Sequence, residues 1–305
     1  MPALRTDAVR VIVPATCANL GPGFDTLGLA LEITDALTAM VTDDPGVLVE
    51  VAGEGVDDVP RDATNLVVRA MALGFTALGV RPTGFVLRCD NVIPHGRGLG
   101  SSAAAIIGGL ALARAMVVDG QELLSDGDLL QVALQLESHP DNLAPALFGS
   151  FTTAWLNGDA AEWVRHDVHA DVHPIIAVPD FQVPTKHARS ALPATVSRDE
   201  AIFNIGRAAL LVHAMTQEPA LLLTATEDRL HQEARRAMYP ASMALVDRLR
   251  ADGIAAAISG AGPTVLAFGD APVLAQVREA AGAQWDVRTS AIAARGAHAT
   301  PVSRP

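Results

Sequence analysis

Lysine is almost absent from this chain of 305 residues, in which Lys186 is the only one. A nucleotide site of the P-loop type requires Gly-Lys-Ser or Gly-Lys-Thr, so that class of phosphate site is excluded. Basic residues are scarce in general, because 22 of them stand against 34 acidic residues and give a net charge of −12. Such a chain repels nucleic acid and anionic membrane surfaces, so we expect neither as a partner.

Cysteine and long apolar runs are also scarce. Cys17 and Cys89 are the only cysteines, too few for a disulfide framework, and we expect reduced thiols in a cytoplasmic protein. Charges occupy the N-terminal segment where a signal peptide would be apolar, so no signal peptide is expected. The longest apolar run, Ala103–Val118, contains Arg114 and is too short to span a bilayer, so it predicts a buried helix.

Hydrophobic residues make up half of the chain, which is enough for a sizeable core in one or two domains. Short β-branched segments and amphipathic segments do not alternate strictly, which predicts an α+β fold with mixed sheets rather than a doubly wound parallel sheet. The polar, weakly patterned run 157–171 predicts a boundary between an N-terminal domain, residues 1–156, and a C-terminal domain, residues 157–305.

Some local patterns give sharper expectations. Val9–Val13 is predicted to be a strand that ends at Pro14, followed by a turn-rich loop over 15–25. Ala220–Met238 is predicted to be one amphipathic helix. The small, polar tail from Arg295 is expected to fray.

The segment Pro94–Ala104, with the sequence PHGRGLGSSAA, is the strongest motif. Gly96, Gly98 and Gly100 lack side chains, so the backbone can approach an anion closely and adopt positive φ. Two serines follow at the start of the predicted helix, whose exposed N–H groups and positive end favour a polyphosphate. The alternative is a glycine turn that only connects a strand to a helix.

A dinucleotide-binding fingerprint is a competing interpretation of the same segment. Gly98, Gly100 and Ala103 fit its spacing, and Asp119 lies at a suitable distance for the ribose. However, no second strand is predicted before Asp119, and Pro94 interrupts the approach to the first glycine. A nicotinamide-dependent oxidoreductase is therefore ranked below a kinase.

The segment Pro94–Ala104 is called the phosphate loop below. Three further motifs accompany it: PATCANLGPGFDTLGLAL at Pro14–Leu31, ESHPDN at Glu137–Asn142 and SGAGP at Ser259–Pro263. Each alone also fits an ordinary turn, because Asn and Asp commonly bond nearby backbone in loops. Together, and in this order, they resemble the GHMP kinases. With TKHAR at Thr185–Arg189, the resemblance is strongest to the homoserine kinases within that superfamily.

The resemblance implies an N-terminal domain like the second domain of ribosomal protein S5, a ferredoxin-like C-terminal domain, and an active site between them. It implies transfer of a phosphoryl group from ATP to the hydroxyl of L-homoserine, a step of threonine biosynthesis, with Mg²⁺ as cofactor. It also implies a cytoplasmic protein, and relatives of this kind are commonly homodimers. A GHMP kinase acting on another small alcohol, such as mevalonate, is the alternative.

The resemblance assigns residues to ATP and to the metal. Ser102 and Glu137 would hold Mg²⁺, a hard cation that prefers oxygen ligands. Asn65 would lie near the adenine, although it suits a helix cap equally well. The residues implied to contact ATP are Asn65, Pro94, His95, Gly96, Arg97, Gly98, Leu99, Gly100, Ser101, Ser102, Ala103, Ala104, Gly260 and Gly262.

The implied substrate is a zwitterion, so its site needs an anion for the ammonium group and cations for the carboxylate. Asp25 and Asn19 are assigned to the ammonium group. Arg189 and Arg235 are assigned to the carboxylate, which a guanidinium can grip through two bonds. The alternative for either arginine is a surface ion pair. Arg236 adjoins Arg235, and Tyr239-Pro240 downstream favours Arg235. His139 and Thr185 would complete the pocket.

Asn142 lies where sister kinases often carry an aspartate base. An amide cannot accept the hydroxyl proton as a base. The resemblance therefore implies that catalysis rests on positioning, Mg²⁺ and electrostatic stabilisation, which suit a loose phosphoryl transition state.

Overall fold

The computed structural model describes residues 2–183 and 189–302. Thr185, implied above to contact the substrate, lies outside the described residues. Two β-sheets organise the chain. The first sheet contains β1 (Val9–Asn19), β2 (Gly23–Thr42), β3 (Gly46–Gly53), β4 (Gly84–Asn91), β5 (Phe151–Asn157), β6 (Ala160–His166) and β11 (His298–Thr300). The second contains β7 (Pro174–Pro179), β8 (Ala256–Ile258), β9 (Val265–Phe268) and β10 (Trp285–Thr289).

The helices fall into two groups around these sheets. Those between β3 and β5 are α1 (Leu66–Ala77), α2 (Ser101–Ala115), α3 (Gly120–Leu123), α4 (Asp126–Ala133) and α5 (Pro140–Phe148). Those after β7 are α6 (Arg198–Thr216), α7 (Leu222–Ala225), α8 (Pro240–Ala251) and α9 (Ala271–Ala281), with 3₁₀ turns at Pro219–Leu221 and Glu233–Met238. No helix in residues 2–183 or 189–302 combines the length and the apolar character that a bilayer crossing requires.

The order of the strands confirms the α+β class. In the first sheet the order is β11-β1-β2-β4-β3, with β5 on β2 and β6 on β5, and only the β3–β4 pair is parallel. The second sheet is antiparallel with the order β10-β7-β9-β8. Along the chain, the strands and helices of this part follow the order β7, helices, β8, β9, α9 and β10. This order is the ferredoxin-like pattern.

Helix α2 is the buried centre of the first group. It packs against β1 and α1, and side chains such as Ile107 and Leu110 have no exposed surface. A helix that is apolar on nearly all sides must be surrounded by other elements. The prediction of a buried helix here is confirmed, with its start two residues earlier, at Ser101.

Strand β1 does not end at Pro14, so that prediction is wrong, and the predicted loop over 15–25 is mostly strand. The pairing with β2 shifts register between Pro14 and Ala15, and a bulge of this kind tolerates proline inside a strand. Residues 15–20 are all buried. The segment therefore lacks the alternation of polar and apolar residues by which a strand is recognised.

The tail was expected to fray from Arg295, but within its described residues His298–Thr300 form β11, which pairs with β1. The run 157–171 also contains a strand, β6, which pairs with β5 over its whole length. The predicted division between residues 156 and 157 stays a prediction. The first sheet takes two of its strands, β6 and β11, from beyond that point.

The segment Ala220–Met238 is not one helix, and that prediction is wrong as well. The carboxylate of Asp228 accepts hydrogen bonds from the backbone N–H groups of Leu230, His231 and Gln232 at 3.0, 3.0 and 2.8 Å. A side chain that captures consecutive N–H groups competes with helical hydrogen bonding. The resulting loop carries His231 to the turn between β1 and β2, where its ring stacks on Phe24.

Candidate active site

The phosphate loop adopts the conformation that its glycines predict. Gly96, Gly98 and Gly100 have φ values of +65°, +77° and +68°. Gly100 directly precedes α2, and no side chain in the described chain caps the start of that helix. Ser102 is exposed in the first turn. The free N–H groups and the positive end of α2 are therefore available to an anion.

The second glycine turn, Ser259–Pro263, packs directly on this loop. The hydroxyl of Ser259 donates a hydrogen bond to the carbonyl oxygen of Gly98 at 2.6 Å. A Cβ at Gly98 would collide with the carbonyl oxygen of Ser259 and lie 2.8 Å from that of Gly262. A Cβ at Gly100 would collide with the hydroxyl of Thr16. Glycine is thus required by both backbone conformation and close packing.

Other residues of the loop attach it to both sheets. The Arg97 guanidinium donates to the carbonyl oxygens of Pro179 at 2.9 Å and Asp180 at 3.0 Å, at the end of β7. The carbonyl oxygen of buried Leu99 accepts from the N–H of Thr16 at 3.0 Å, in β1. The loop therefore lies between the two sheets, where the active site was expected.

Asn65 is a helix cap. Its Oδ1 accepts from the N–H of Val67 at 2.9 Å, and its Nδ2 donates to the carbonyl oxygen of Pro60 at 2.8 Å. The same residue lines a small cleft together with His95 and Ser101 of the phosphate loop. The cap is confirmed, and the neighbourhood of the adenine stays a prediction.

Glu137 and His139 form a hydrogen-bonded pair before α5. Oε1 of Glu137 accepts from the backbone N–H of His139 at 3.1 Å and lies 2.9 Å from Nδ1 of its ring. Burial would raise the pKa of Glu137, but these hydrogen bonds outweigh burial and hold it below its usual range. The hydrogen bond with Glu137 raises the pKa of His139. Oε2 of Glu137 accepts no hydrogen bond from any described residue.

Glu137 and Ser102, which the resemblance assigns to the metal, are oxygen donors of the kind that suits a hard cation bound chiefly through phosphate. The described part of the chain contains no group of three His, Cys, Asp or Glu side chains that could hold a metal. Glu137 offers one carboxylate oxygen and Ser102 one exposed hydroxyl. Magnesium commonly takes one or two protein oxygens and completes its shell with substrate phosphates and water. The residues present therefore fit Mg²⁺ carried by ATP.

Asn142 faces the start of α2 from the first turn of α5. Its Oδ1 accepts from the hydroxyl of Thr16 at 2.7 Å and lies 3.1 Å from the Cβ position of Gly100. The neighbouring Asp141 is buried, and desolvation raises the pKa of its carboxyl to about 7, with a further contribution from Asp25. The resemblance pointed to Asn142 within its motif. Nothing in the sequence indicates that the pKa of the neighbouring Asp141 is raised.

The turn between β1 and β2 is held by Asn19. Asn19 and Asp25 both have positive φ, at +68° and +54°. Oδ1 of Asn19 accepts from the N–H of Asp25 at 3.0 Å, and Nδ2 donates to the carbonyl oxygen of Gly260 at 2.8 Å. Both amide atoms are engaged, so Asn19 joins this turn to the second glycine turn.

Arg189 and Asp25, assigned to opposite ends of the substrate, contact each other. Two hydrogen bonds of 2.7 and 3.1 Å join the guanidinium to the carboxylate. Nε2 of His139 lies 4.0 Å from the same carboxylate. Arg189 also lies over the ring of Phe24, with 5.6 Å between its Cζ and the ring centroid.

Arg235 and Arg236 have different environments, and the assignment of Arg235 to the substrate stays a prediction. Arg235 is buried, with its Cζ 5.4 Å from the centroid of Phe24. Burial lowers its pKa from the ordinary value, and the charge of Arg189 acts in the same direction. Arg236 pairs at the surface with Glu233 and Asp247, each at 2.8 Å. Two arginines thus converge on Phe24, a residue that the sequence analysis did not assign, although it lies within the motif Pro14–Leu31.

The family models match both halves of the chain. The model described as the GHMP kinases N terminal domain matches residues 65–150, and that described as GHMP kinases C terminal matches residues 203–287. The first match contains the phosphate loop, Glu137 and Asn142. The second contains Arg235 and the turn Ser259–Pro263.

Individual proteins resemble the chain over nearly its whole length. A homoserine kinase of Streptomyces avermitilis is 50% identical over 302 residues, which cover 99% of each chain. A homoserine kinase of Clavibacter michiganensis is 50% identical over 264 residues, or 87% of this chain and 83% of the relative. The crystal structure of a homoserine kinase from Cytophaga hutchinsonii superposes with a TM-score of 0.82 at 26% identity, covering 98% of this chain and 99% of the other.

Proposed function

This chain belongs to the GHMP kinase family, and on that premise we propose that it is a homoserine kinase, which transfers the γ-phosphoryl group of ATP to the hydroxyl of L-homoserine. The product is O-phospho-L-homoserine, an intermediate on the way to threonine. The resemblance noted in the motifs and the similarity to whole homoserine kinases support the same activity.

One observation carries the choice of an amino acid as acceptor. A carboxylate, Asp25, and two guanidinium groups, those of Arg189 and Arg235, lie around the ring of Phe24. A zwitterion with separate ammonium and carboxylate groups matches this arrangement of charges. A neutral sugar has neither group, and mevalonate has a carboxylate but no ammonium group for Asp25.

Helix α5 places the two halves of the reaction close together. His139, just before α5, faces Asp25 at the start of β2. Asn142, one turn later, faces Gly100 at the start of α2. We propose that homoserine binds on the side of His139 and the phosphates of ATP bind at Gly98–Ser102, so that the substrate hydroxyl approaches the γ-phosphate near Asn142.

Each residue has a distinct role in this proposal. The N–H groups at the start of α2 bind phosphate oxygens and stabilise their charge, as a helix N-terminus does for anions. Ser102 and Glu137 would hold Mg²⁺, which supplies neutralisation of phosphate charge. Asp25 binds the ammonium group, while Arg189 and Arg235 bind and orient the carboxylate. Asn142 orients the reacting groups, because its amide cannot take up the proton.

The function is tested by measuring ADP release with L-homoserine, mevalonate and galactose as acceptors. We expect turnover with homoserine in preference to the other two. ADP release with mevalonate and none with homoserine would disprove the proposal. The metal assignment is tested separately by titrating Mg²⁺ with wild type and E137Q. E137Q should need a higher Mg²⁺ concentration, and an unchanged requirement would remove Glu137 from the metal site.

Two further expectations go with this function. Relatives of this kind are commonly homodimers, and a cytoplasmic location suits an enzyme of amino-acid biosynthesis. Both stay predictions, and sedimentation velocity of the purified chain tests the first.

A further inference from the structure

His231 is a buried histidine outside every motif, and it joins two parts of the candidate active site. Its Nε2 lies 2.7 Å from the carbonyl oxygen of Gly21, in the turn between β1 and β2. Its Nδ1 lies 3.0 Å from Nη1 of Arg235. The imidazole therefore connects the turn that precedes Asp25 to the buried arginine assigned to the substrate carboxylate.

The two partners determine which ring nitrogen carries the proton. A guanidinium group only donates hydrogen bonds, and a carbonyl oxygen only accepts them. Nδ1 must therefore accept from Arg235, while Nε2–H donates to Gly21. Burial lowers the pKa of His231 and, despite the opposing charge of Asp228, the charge of Arg235 lowers it further. The ring is thus neutral, with its proton on Nε2.

The surroundings of His231 leave the ring little freedom. It stacks on Phe24 with 5.1 Å between centroids and 25° between planes. Its backbone N–H donates to Asp228 at 3.0 Å. The side-chain amide of Asn204 donates both to Asp228 at 3.2 Å and to the carbonyl oxygen of Pro22 at 3.1 Å. His231 and the turn that it contacts are therefore fixed relative to each other.

We propose that His231 is a positioning residue, whose Nδ1 holds the guanidinium of Arg235 in the orientation that binds the substrate carboxylate. The inference rests on the assignment of Arg235 to the carboxylate of L-homoserine. Arginine has many rotamers, so a guanidinium that is oriented before binding loses less entropy when the substrate arrives. The effect should appear in the KM for homoserine and not in the KM for ATP.

Two variants separate this role from a purely structural one. In H231N, the amide oxygen of the asparagine takes the place of the imidazole Nδ1 and can accept from Arg235. The donor to the carbonyl oxygen of Gly21 is lost. In H231Q, the amide nitrogen of the glutamine takes the place of the imidazole Nε2 and can donate to the carbonyl oxygen of Gly21. The acceptor for Arg235 is lost. We expect the KM for homoserine to rise by about tenfold in H231Q, the equivalent of one lost charge-assisted hydrogen bond, and by less in H231N.

The order of the two variants decides the question. If His231 only fastened the turn through Gly21, H231N would have the larger KM for homoserine, and that order would overturn the proposal. An equal rise in the KM values for homoserine and ATP would overturn it too. KM does not depend on the fraction of folded enzyme, so partial unfolding of a variant does not confuse the comparison.

A measurement on the wild-type enzyme keeps the proposal testable if both variants fail to fold. Nitrogen-15 NMR of the histidine rings should show His231 protonated on Nε2 and unprotonated on Nδ1 at neutral pH. A proton on Nδ1 would overturn the proposal. R235K separates this inference from the proposed function. An unchanged KM for homoserine in R235K removes Arg235 from the substrate site, whereas a raised KM with the reversed order of the His231 variants rejects His231 alone.

Discussion

Arg189 and Asp25 form an ion pair in which Nη2 lies 2.7 Å from Oδ1 and Nη1 lies 3.1 Å from Oδ2. Each is the proposed partner of one end of the same zwitterion. The two residues therefore neutralise each other before the substrate is bound, and under this proposal homoserine inserts its ammonium group beside Asp25 and its carboxylate beside Arg189. The pair is partly exposed, with 43% and 29% of the side chains accessible, so its opening costs little.

We expect D25N and R189Q each to raise the KM for homoserine by roughly tenfold or more, since each removes one charged hydrogen-bonding partner of the substrate. The double variant should show more than the product of the single effects, because each single variant frees the remaining partner from the ion pair and so offsets part of its own loss. Steady-state kinetics with saturating ATP measure this. R88Q is the matched control, because Arg88 forms a similar exposed pair with Asp90. A comparable rise in R88Q would contradict the assignment.

The contrast between Arg235 and Arg236 gives a second prediction. R235Q removes a buried guanidinium that lies over Phe24, so the KM for homoserine should rise by about tenfold or more, with little change in the KM for ATP. R236Q removes a surface ion pair with Glu233 and Asp247 and should leave both KM values near those of wild type. If R235Q raised the KM values for homoserine and ATP equally, Arg235 would be removed from the substrate site.

Gly98 should not tolerate a side chain. In G98A, the new Cβ would collide with the carbonyl oxygen of Ser259 and displace the phosphate loop, so kcat/KM for ATP should fall about a hundredfold, as expected for a displacement of about 1 Å. G79A is the control, because Gly79 has a similar φ of +67° with open space around it. It should lose only about 1–2 kcal/mol of stability. Wild-type kinetics in G98A would disprove the close packing.

The hydrogen bond from Thr16 to Asn142 predicts a defect in turnover rather than in binding. T16V leaves Oδ1 of Asn142 without its donor at 2.7 Å, so kcat should fall by about tenfold while both KM values change little. T16S keeps the hydroxyl and should recover most of the rate. N142A tests the residue directly. If it abolishes turnover without affecting the binding of homoserine or ATP, a purely passive role for Asn142 is wrong.

Asp141 predicts a dependence of stability on pH. Its pKa rises from 3.8 to about 7 in the folded protein, so the folded state binds a proton that the unfolded state releases between these values. The contribution of this group to stability is therefore most favourable below about pH 4, falls as pH rises and is fully lost above about pH 7. D141N keeps the acceptor for the N–H of Asn142 and removes the charge.

Thermal unfolding of D141N and wild type at pH 5 and pH 8 measures this effect. The Tm of D141N relative to wild type should be higher at pH 8, because each unit of pKa shift corresponds to about 1.4 kcal/mol. D128N provides a comparison, since Asp128 is exposed near the start of α4. A difference in Tm between D141N and wild type that is the same at both pH values would mean that Asp141 is ionised in the folded protein at both.

The local sequence determined the parts of this protein that depend on short-range physics. The glycine spacing of Pro94–Ala104 gave positive φ and a helix start without a side-chain cap, because only backbone without Cβ allows that approach. The absence of lysine beside those glycines excluded a P-loop. The capping role of Asn65 was also readable, because it depends on residues close in the chain.

Tertiary structure decided what depends on residues far apart in the chain. Burial on all sides hid the strand Ala15–Asn19, because alternation disappears when both faces of a strand are covered. The helix expected over Ala220–Met238 is broken because Asp228 captures its N–H groups, and this break is what brings His231 to Gly21. Nothing in the sequence indicates that Arg189 and Asp25, 164 residues apart, pair with each other. That contact exists only because the fold places both beside Phe24.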